Sequence, residues 1–392
     1  MTLPSDNLSQ GLERLLPTYA RADVTIVRGE GTRVWDSDGR EYLDFGGGIA
    51  VVGLGHGHPA PLGAAHDQLD RLWHTSNLYR TEPAEKLAAM LSERFGGAQA
   101  FFCNSGAEAI EAALKYARKA TGKPGVIALE GGFHGRTFGA LSATGQPGKR
   151  EPFAPLVPGM RFVPPNDVDA LHAAFDSEVG LVLLEPILGE GGVVPLDSEF
   201  VAAAADLPAL LGLDEIQTGV GRTGTFFGFE ALGVRPDLVM LAKGLANGLP
   251  IGALLVADEA AGAFVPGDHG STFGGNPVVC AAACAVVDAI DEDLLANVQA
   301  RSHALTAGLA ALDGVVEVRG RGLLLGVVVD RQAAELVAAC RERGLLVLAA
   351  GDDVVRLAPP LTTGGGEVAE ALSTLGSVLD AARTGAKLQG VT

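Results

Sequence analysis

Five short apolar runs between residues 98 and 258 constrain the fold more than any other feature of the sequence. They lie at residues 100–103, 126–129, 181–184, 210–213 and 238–242. Each is too short for a helix, and helical or turn-rich stretches separate them, which is typical of a parallel sheet covered by helices. We therefore expect an α/β domain with a central, mostly parallel sheet.

Polar and glycine residues follow each run, at the point where its strand would end. The segments are NSG at 104–106, EGGFH at 130–134, EP at 185–186, DE at 214–215 and KG at 243–244. Open α/β sheets bind ligands at the carboxyl ends of their strands. One site is therefore expected to collect all five segments.

The flanking regions indicate a second, smaller α+β domain built from both ends of the chain. Residues 24–51 read as small strands, 277–311 as helical, 315–329 and 345–357 as strands, and 367–382 as a closing helix. We expect residues 1–55 and 276–392 to form the small domain, and residues 56–275 to form the large one.

Charge and composition limit the partners. Asp and Glu outnumber Lys and Arg by 47 to 29, giving a formal charge of -18 with no basic run, so nucleic acid is not expected as a partner. An anionic ligand would need local donors such as arginines or a helix N-terminus. No leader or membrane-length apolar run is visible, and the four cysteines show no CxxC spacing. We expect a cytoplasmic protein that binds no membrane and has reduced thiols and no metal site.

Lys243 is the one lysine of seven that lies within an apolar segment. Burial lowers the pKa of an amine and makes its neutral form available as a nucleophile toward a carbonyl, as in Schiff-base formation. The alternative is a lysine that reaches the surface or pairs with a carboxylate. Asp214 ends an earlier run; it is either a turn residue or an acid placed to protonate a heterocycle's nitrogen.

The segments after the first two runs offer further ligand contacts. Ser105 and Glu108 have capping-box spacing, while Gly106 at a helix start would suit a phosphate. Phe133, beside His134, is either core or a stacking aromatic. Arg136 and Arg356 are either solvated or bidentate grips for carboxylates.

Together these segments resemble the class III (ornithine-type) aminotransferases from about residue 19 to 361. The motifs are VRGEG at 27–31, GGIAV at 47–51, NSGAEA at 104–109, GFHGRT at 132–137, EPILGE at 185–190, LDEIQTG at 213–219 and AKG at 242–244. The resemblance implies the pyridoxal 5'-phosphate (PLP) transferase fold of type I, with a seven-stranded sheet, and an aminotransferase activity.

The resemblance also implies a role for each matching residue. Lys243 carries the cofactor, Asp214 meets its ring nitrogen, and Gln217 its hydroxyl. Phe133 stacks on the ring beside His134, while Ser105, Gly106 and Ala107 cradle the phosphate. Ser271 and Thr272 reach the neighbouring subunit's site, so a homodimer is implied. Arg136 takes the donor's α-carboxylate, Arg356 takes 2-oxoglutarate, and Glu190 masks Arg356 when the donor binds.

The donor favoured by similarity is N-acetylornithine, with ornithine, succinyl-diaminopimelate, 4-aminobutyrate or a carrier-bound amine as alternatives. Two departures from the family pattern are Leu188, where Gln is usual, and a shortened stretch at 195–213. The sequence leaves dimer against tetramer undecided.

Other functions have weaker support. GRGLLLG at 320–326 is similar to a dinucleotide-binding glycine pattern and would suggest an NAD(P)-dependent dehydrogenase, but it is followed by a strand-like run rather than a helix. His56 and His58 could suggest a metal hydrolase, but the sequence shows no third ligand cluster to accompany them. A non-catalytic relative would typically lack Lys243 or Asp214, whereas an aminomutase or racemase would share both.

Overall fold

The computed structural model describes residues 14–384 of the 392-residue chain. Its strands, in chain order, are β1 Ile26–Glu30, β2 Arg33–Asp36, β3 Glu41–Asp44, β4 Ala98–Cys103, β5 Gly125–Leu129, β6 Met160–Val163, β7 Val179–Leu184, β8 Ile187–Leu188, β9 Val194–Pro195, β10 Leu210–Asp214, β11 Leu238–Leu241, β12 Gly252–Ala257, β13 Val315–Arg321, β14 Leu324–Val329, β15 Leu345–Leu346, β16 Leu348–Ala349 and β17 Val354–Leu357.

The helices are α1 Pro59–Leu69, α2 Glu82–Phe95, α3 Gly106–Thr121, α4 Phe138–Ala143, α5 Pro147–Arg150, α6 Val168–Ala174, α7 Ser198–Ala205, α8 Pro277–Ala289, α9 Glu292–Ala310, α10 Ala333–Glu342 and α11 Gly365–Thr384. A four-residue helical turn at Gly47–Ala50 has left-handed φ/ψ at Gly48 and Ile49. Short 3-10 helices occur at Glu151–Phe153, Gly228–Leu232, Lys243–Ala246 and Asp258–Ala260. None of the helices within 14–384 is both long and apolar enough to span a bilayer.

The central sheet has seven strands in the order β4-β12-β11-β10-β7-β5-β6. All neighbouring strands are parallel except β12, which runs antiparallel to both β4 and β11. The five apolar runs form β4, β5, β7, β10 and β11, so the expected mostly parallel sheet is confirmed. The sequence did not single out β6 or β12.

Both faces of this sheet are covered. Alternate residues of β7 enter two separate cores: Leu181 and Leu183 pack with α3, while Val182 and Leu184 pack with the core that includes α2 and α8. Every residue of β7, β11 and β12 is buried. Burial on both faces explains why these strands read as continuous apolar runs rather than as an alternating pattern.

Strands from the two ends of the chain meet in a smaller sheet. β15 pairs in parallel with β3, Leu345 opposite Leu43, giving the order β1-β2-β3-β15. A separate antiparallel sheet has the order β13-β14-β17-β16. The helix α8 packs against α1 and α2 of the central part. The proposed domain limits at 55 and 275 stay a prediction.

Candidate active site

A cavity of about 440 Å³ opens at the carboxyl ends of the central strands. It is lined by residues from all five of the segments that follow the apolar runs, as the topology of an open α/β sheet requires. Ten residues singled out from the sequence line it: Ser105, Gly106, Ala107, Phe133, His134, Arg136, Glu190, Asp214, Gln217 and Lys243.

Lys243 begins a 3-10 turn two residues after β11, and its backbone adopts φ 44. This left-handed conformation is uncommon for a residue with a side chain and marks a position that its surroundings over-determine. Burial lowers the pKa of the Lys243 amine, and the charge of Arg356 lowers it further, against the carboxylates of Asp214, Glu190 and Glu185. Among residues 14–384 the amine has no ion-pair partner within 4 Å, so the alternative of a paired lysine is wrong.

Asp214 is the last residue of β10 and lies beside β11 in a parallel pair. Its carboxylate accepts from the Ile216 amide at 3.0 Å and lies 2.7 Å from His134 Nδ1. Burial disfavours the charged form of His134, but the hydrogen bond and charge of Asp214 outweigh burial and raise the pKa of His134. His134 therefore holds the acid in place and compensates its charge.

Glu185 ties two loops of the site together. One carboxyl oxygen accepts from the Phe133 amide at 2.7 Å and the other accepts from the Gly189 amide at 3.1 Å. Burial raises the pKa of Glu185 to about 7, and Asp214 adds to this effect while His134 opposes it. The sequence placed Glu185 at a strand end without assigning it a role.

The N-terminus of α3 opens into the cavity at Ser105, Gly106 and Ala107. The first amide groups of a helix have no partners inside it and suit an anion. Ser105 caps the helix by accepting from the Glu108 amide, but Glu108 accepts from the Asn104 amide rather than from Ser105. The expected reciprocal capping box is therefore only half formed.

Arg356 on β17 is not among the described residues that line the cavity, but it pairs with Glu190, which does line it. Its Nη1 atom lies 2.8 Å from Glu190 Oε1 and also donates to the Gly189 carbonyl at 2.6 Å and to Gln217 Oε1 at 3.2 Å. Burial opposes ionisation of Glu190, but the charge of Arg356 outweighs burial and lowers the pKa of Glu190. Arg356 is buried, so the carboxylate of Glu190 is the group that neutralises its charge.

Phe133 is flanked by two cations. Arg136 Cζ lies 5.6 Å and Lys149 Nζ 5.3 Å from the centroid of its ring. Burial lowers the pKa of Lys149, as do Arg136 and Arg356, whereas Glu190 opposes the shift. Lys149 was missed from the sequence because it lies in a short helix away from the strand ends.

Ser271 and Thr272 are not among the described residues that line this cavity. Ser271 Oγ accepts from Asn104 Nδ2 at 3.1 Å and from the Gly274 amide at 3.0 Å, and Thr272 is exposed. This placement leaves their side chains outside the site of their own chain. Their expected role in a neighbouring site stays a prediction.

Other sequence features have structural roles. His56 Nε2 lies 2.8 Å from Asp44 Oδ2, and His58 caps α1 by accepting from the Ala60 amide. Residues 320–326 cover the end of β13, a two-residue turn and the start of β14, so no helix begins there and the context for a dinucleotide is absent. Leu188 is buried in the core, and the shortened stretch contains α7.

The residues present fit a phosphorylated pyridine aldehyde. A Cβ at Gly106 would lie 2.7 Å from Ile216 Cδ1, so a glycine there leaves room for Ile216 beside the cradle. The same cavity supplies an unpaired amine at Lys243, an acid at Asp214 and an aromatic ring at Phe133. These are the groups that PLP enzymes use to bind the aldehyde, the ring nitrogen and the ring face.

The sheet order and this donor set together define a PLP-dependent enzyme of fold type I. The chain belongs to the class-III aminotransferases, whose family model matches residues 17–379. It is 51% identical to the acetylornithine aminotransferase of Streptomyces coelicolor over 378 residues, 94% of each chain.

Two solved structures support the same placement. The N-acetylornithine aminotransferase of Stenotrophomonas maltophilia K279a has 39% identity and a TM-score of 0.82, covering 94% of this chain and 98% of that one. An ornithine aminotransferase from Toxoplasma gondii, with PLP partly occupying its active site, has 32% identity and a TM-score of 0.91, covering 97% and 95%. The resemblance inferred from the motifs is confirmed.

Proposed function

We propose that this chain transfers the terminal (δ) amino group of N-acetylornithine to 2-oxoglutarate, giving N-acetylglutamate 5-semialdehyde and glutamate. Relatives named acetylornithine aminotransferase, from Streptomyces coelicolor to Methanopyrus kandleri, share 51% and 49% identity over almost the whole chain. The observation that carries the proposal is the Glu190–Arg356 pair beside the cavity of Lys243. Arg356 can bind a substrate carboxylate, and Glu190 can neutralise Arg356 when the substrate has no carboxylate for it. The reaction belongs to arginine biosynthesis.

Each cofactor contact has a candidate residue. Lys243 would hold the aldehyde carbon, Asp214 with His134 the ring nitrogen, Gln217 the hydroxyl and Phe133 the ring face. The N-terminus of α3 at Ser105, Gly106 and Ala107 would hold the phosphate, joined by Thr272 of a second copy of the chain. When bound, PLP supplies an aldehyde that condenses with amines and a protonated ring that accepts electrons from the bond being broken.

Lys243 has two tasks in this scheme. Its side chain would hold the aldehyde until the donor's amine replaces it, and the freed lysine amine would then take the proton from the donor carbon that bears the nitrogen. Burial lowers its pKa, which favours the neutral form that can accept a proton. Asp214 is held in place by its contact with His134 and would keep the proton on the ring nitrogen.

Arg136 and Arg356 would each bind a carboxylate of a different substrate. Arg136 would bind the α-carboxylate of the donor, while Glu190 neutralises Arg356. 2-Oxoglutarate carries a second carboxylate, which would displace Glu190 and bind Arg356 as a bidentate pair. The same site can thus accept a donor and an acceptor of different charge in turn.

The proposal includes a cytoplasmic homodimer with an active site at each subunit interface. Two observations support the dimer: Ser271 and Thr272 lie outside their own cavity, and large apolar side chains near them are exposed. Burial raises the pKa of all four cysteine thiols (Cys103, Cys280, Cys284 and Cys340) to about 11 or 12, which suits a reduced, unreactive state.

A single-turnover screen of amines tests the donor assignment. The purified, PLP-loaded protein is mixed with N-acetylornithine, ornithine, succinyl-diaminopimelate or 4-aminobutyrate, and the change in cofactor absorbance is followed. We expect the highest kcat/KM with N-acetylornithine and regeneration of the starting spectrum by 2-oxoglutarate with release of glutamate. A higher kcat/KM for another amine would reassign the donor, and no change with any amine would contradict the activity.

A further inference from the structure

Three residues form a row across the C-terminal sheet. Arg319 on β13 lies opposite Gly326 on β14, and Gly326 lies opposite Arg356 on β17. Residues in register on neighbouring strands direct their side chains to the same face of a sheet. The row therefore presents two arginines with a gap between them, because Gly326 has no side chain.

The loop formed by residues 189–193, which carries Glu190, lies across this row. Arg356 Nη1 donates to the Gly189 carbonyl at 2.6 Å, and Arg319 Nε donates to the Gly192 carbonyl at 2.7 Å. Val193 fills the gap over Gly326, where an added Cβ would be 2.7 Å from that of Val193. Hydrogen bonds from the two arginines thus hold both ends of the loop. Packing of Val193 against Gly326 adds to the contact at the second end.

The loop would not keep this conformation by itself. Val193 is β-branched and has φ 54, a left-handed conformation that such residues rarely adopt, and Gly192 has φ 96. Strained backbone persists when contacts from elsewhere in the fold hold it. The bond from Arg319 is one of those contacts, and Arg319 reaches the loop from outside the cavity.

We propose that Arg319 is a positioning residue that holds the Glu190 carboxylate on Arg356 and thereby sets the enzyme's preference between amino donor and dicarboxylate. The inference deepens the proposed function and rests on its use of one site for two substrates. Arg319 touches neither substrate in this scheme. It acts through the backbone of residues 189–193.

Loss of this anchor should affect the two substrates in opposite directions. A looser loop masks Arg356 less completely, so a donor without a second carboxylate meets an exposed positive charge and binds less well. A dicarboxylate binds more readily, because less energy is needed to displace Glu190. Arg356 itself stays in place on its buried strand and keeps its contact with Gln217.

The test compares the full-length holoenzyme with an Arg319→Met variant, because Met keeps the length of the stem without a donor. Each half-reaction is measured by single turnover, and glutarate binding is measured by calorimetry. We expect kcat/KM for N-acetylornithine to fall about fivefold through KM, and glutarate to bind about twofold to fivefold more tightly, as for loss of one hydrogen bond.

Two further variants are controls. Arg319→Lys keeps a donor for the Gly192 carbonyl and should restore most of the selectivity. Glu317→Gln removes the partner that lies 3.5 Å from Arg319 Nη1 but leaves the Gly192 bond, so it should resemble the wild type. Equal losses in both half-reactions, or unchanged glutarate affinity, would overturn the proposal. Glutarate binding does not depend on the donor's identity, so it stays informative if the donor assignment fails.

Discussion

At the scale of single residues, Lys243 combines an unfavourable backbone with an unpaired amine. Its left-handed φ of 44 costs about 1–3 kcal/mol in a residue other than glycine, and its amine is desolvated next to Arg356. Neither feature would stabilise a protein. Both are explained when the amine must point into the cavity in its neutral form.

Replacement of Lys243 should abolish turnover without unfolding the protein. We expect Lys243→Ala to lower the rate of each half-reaction by at least about 10²–10⁴-fold, the usual contribution of general acid–base catalysis, and to lose the absorbance band of the loaded wild type. Stopped-flow absorbance checks both. The matched control is Lys119→Ala, a surface lysine paired with Asp268, and a yellow, active Lys243→Ala protein would refute the assignment.

Glu215, next to Asp214 in the sequence, has a purely structural position. Its carboxylate accepts from Thr218 Oγ1 at 2.5 Å and from the amides of Gly228 and Phe229 at 2.9 and 2.7 Å. Burial raises its pKa to about 7, in spite of these donors. It therefore holds the 3-10 helix Gly228–Leu232 against the end of β10, and its ionisation is linked to folding.

The pH dependence of stability should show this linkage. A carboxyl group with a pKa near 7 when folded and 4.5 when unfolded stabilises the fold at low pH, and loses that contribution as pH rises toward 7. Between about pH 5 and pH 8 the loss amounts to about 2–3 kcal/mol. Glu215→Gln has no carboxyl group to ionise, so the variant should not show this loss. The difference in free energy of unfolding, variant minus wild type, should therefore increase over that interval. Chemical denaturation measures it; parallel pH profiles would contradict the expectation.

At the scale of elements, β12 positions the helix start that forms the phosphate cradle. It runs antiparallel between β4 and β11, and its first residue, Gly252, lies against the backbone of Ser105. A Cβ on Gly252 would be 2.3 Å from the Ser105 carbonyl oxygen. A strand that the sequence did not single out therefore fixes the end of α3.

An alanine at this contact should disturb both folding and the cradle. We expect Gly252→Ala to lower the free energy of unfolding by about 1–3 kcal/mol and to weaken PLP binding, because the Ser105 backbone must move. Gly366→Ala is the matched control: its Cβ meets nothing within 4 Å and it lies in α11, so stability should be unchanged or about 0.5–1 kcal/mol higher. Thermal unfolding and PLP titration distinguish the two. Equal behaviour of both variants would exclude this role for β12.

At the scale of the whole molecule, a cluster of exposed apolar side chains lies beside Ser271 and Thr272. Trp73, Leu78, Tyr79 and Phe273 are 70%, 88%, 71% and 59% exposed. Asn77 links the two segments by donating to the carbonyls of Ser271 and Gly274. Exposed apolar patches of this kind mark protein–protein contacts, and this one adjoins the residues expected to serve a second subunit.

A charge in this patch should separate the subunits and remove activity with them. We expect Leu78→Asp to weaken dimerisation at least about thirtyfold, because burial of an unpaired carboxylate costs several kcal/mol. Analytical ultracentrifugation at decreasing concentration gives the mass, and turnover should fall in step with the dimer fraction. Val316→Asp, equally apolar and 67% exposed but on β13, should stay dimeric and active. An active wild-type monomer would contradict the proposal.

The sequence alone determined the class of fold and the chemical groups of the site. Buried parallel strands must be short apolar runs, and the chain must turn at their ends, so Asp214, Lys243 and Phe133 could be assigned to one edge of a sheet without coordinates. The shared motifs supplied the rest of the aminotransferase assignment, which the family comparison confirmed.

Only the tertiary structure decided how these groups act on one another. The hydrogen bond from His134 to Asp214 joins residues 80 apart, and the contacts of Arg356 with Glu190 and of Arg319 with Gly192 join strands to a loop more than 120 residues away. Such contacts depend on strand order and register, which no local pattern encodes. The periodicity of apolar residues indicates which face of a segment is buried. The distance between two side chains on different segments is set only by the folded structure.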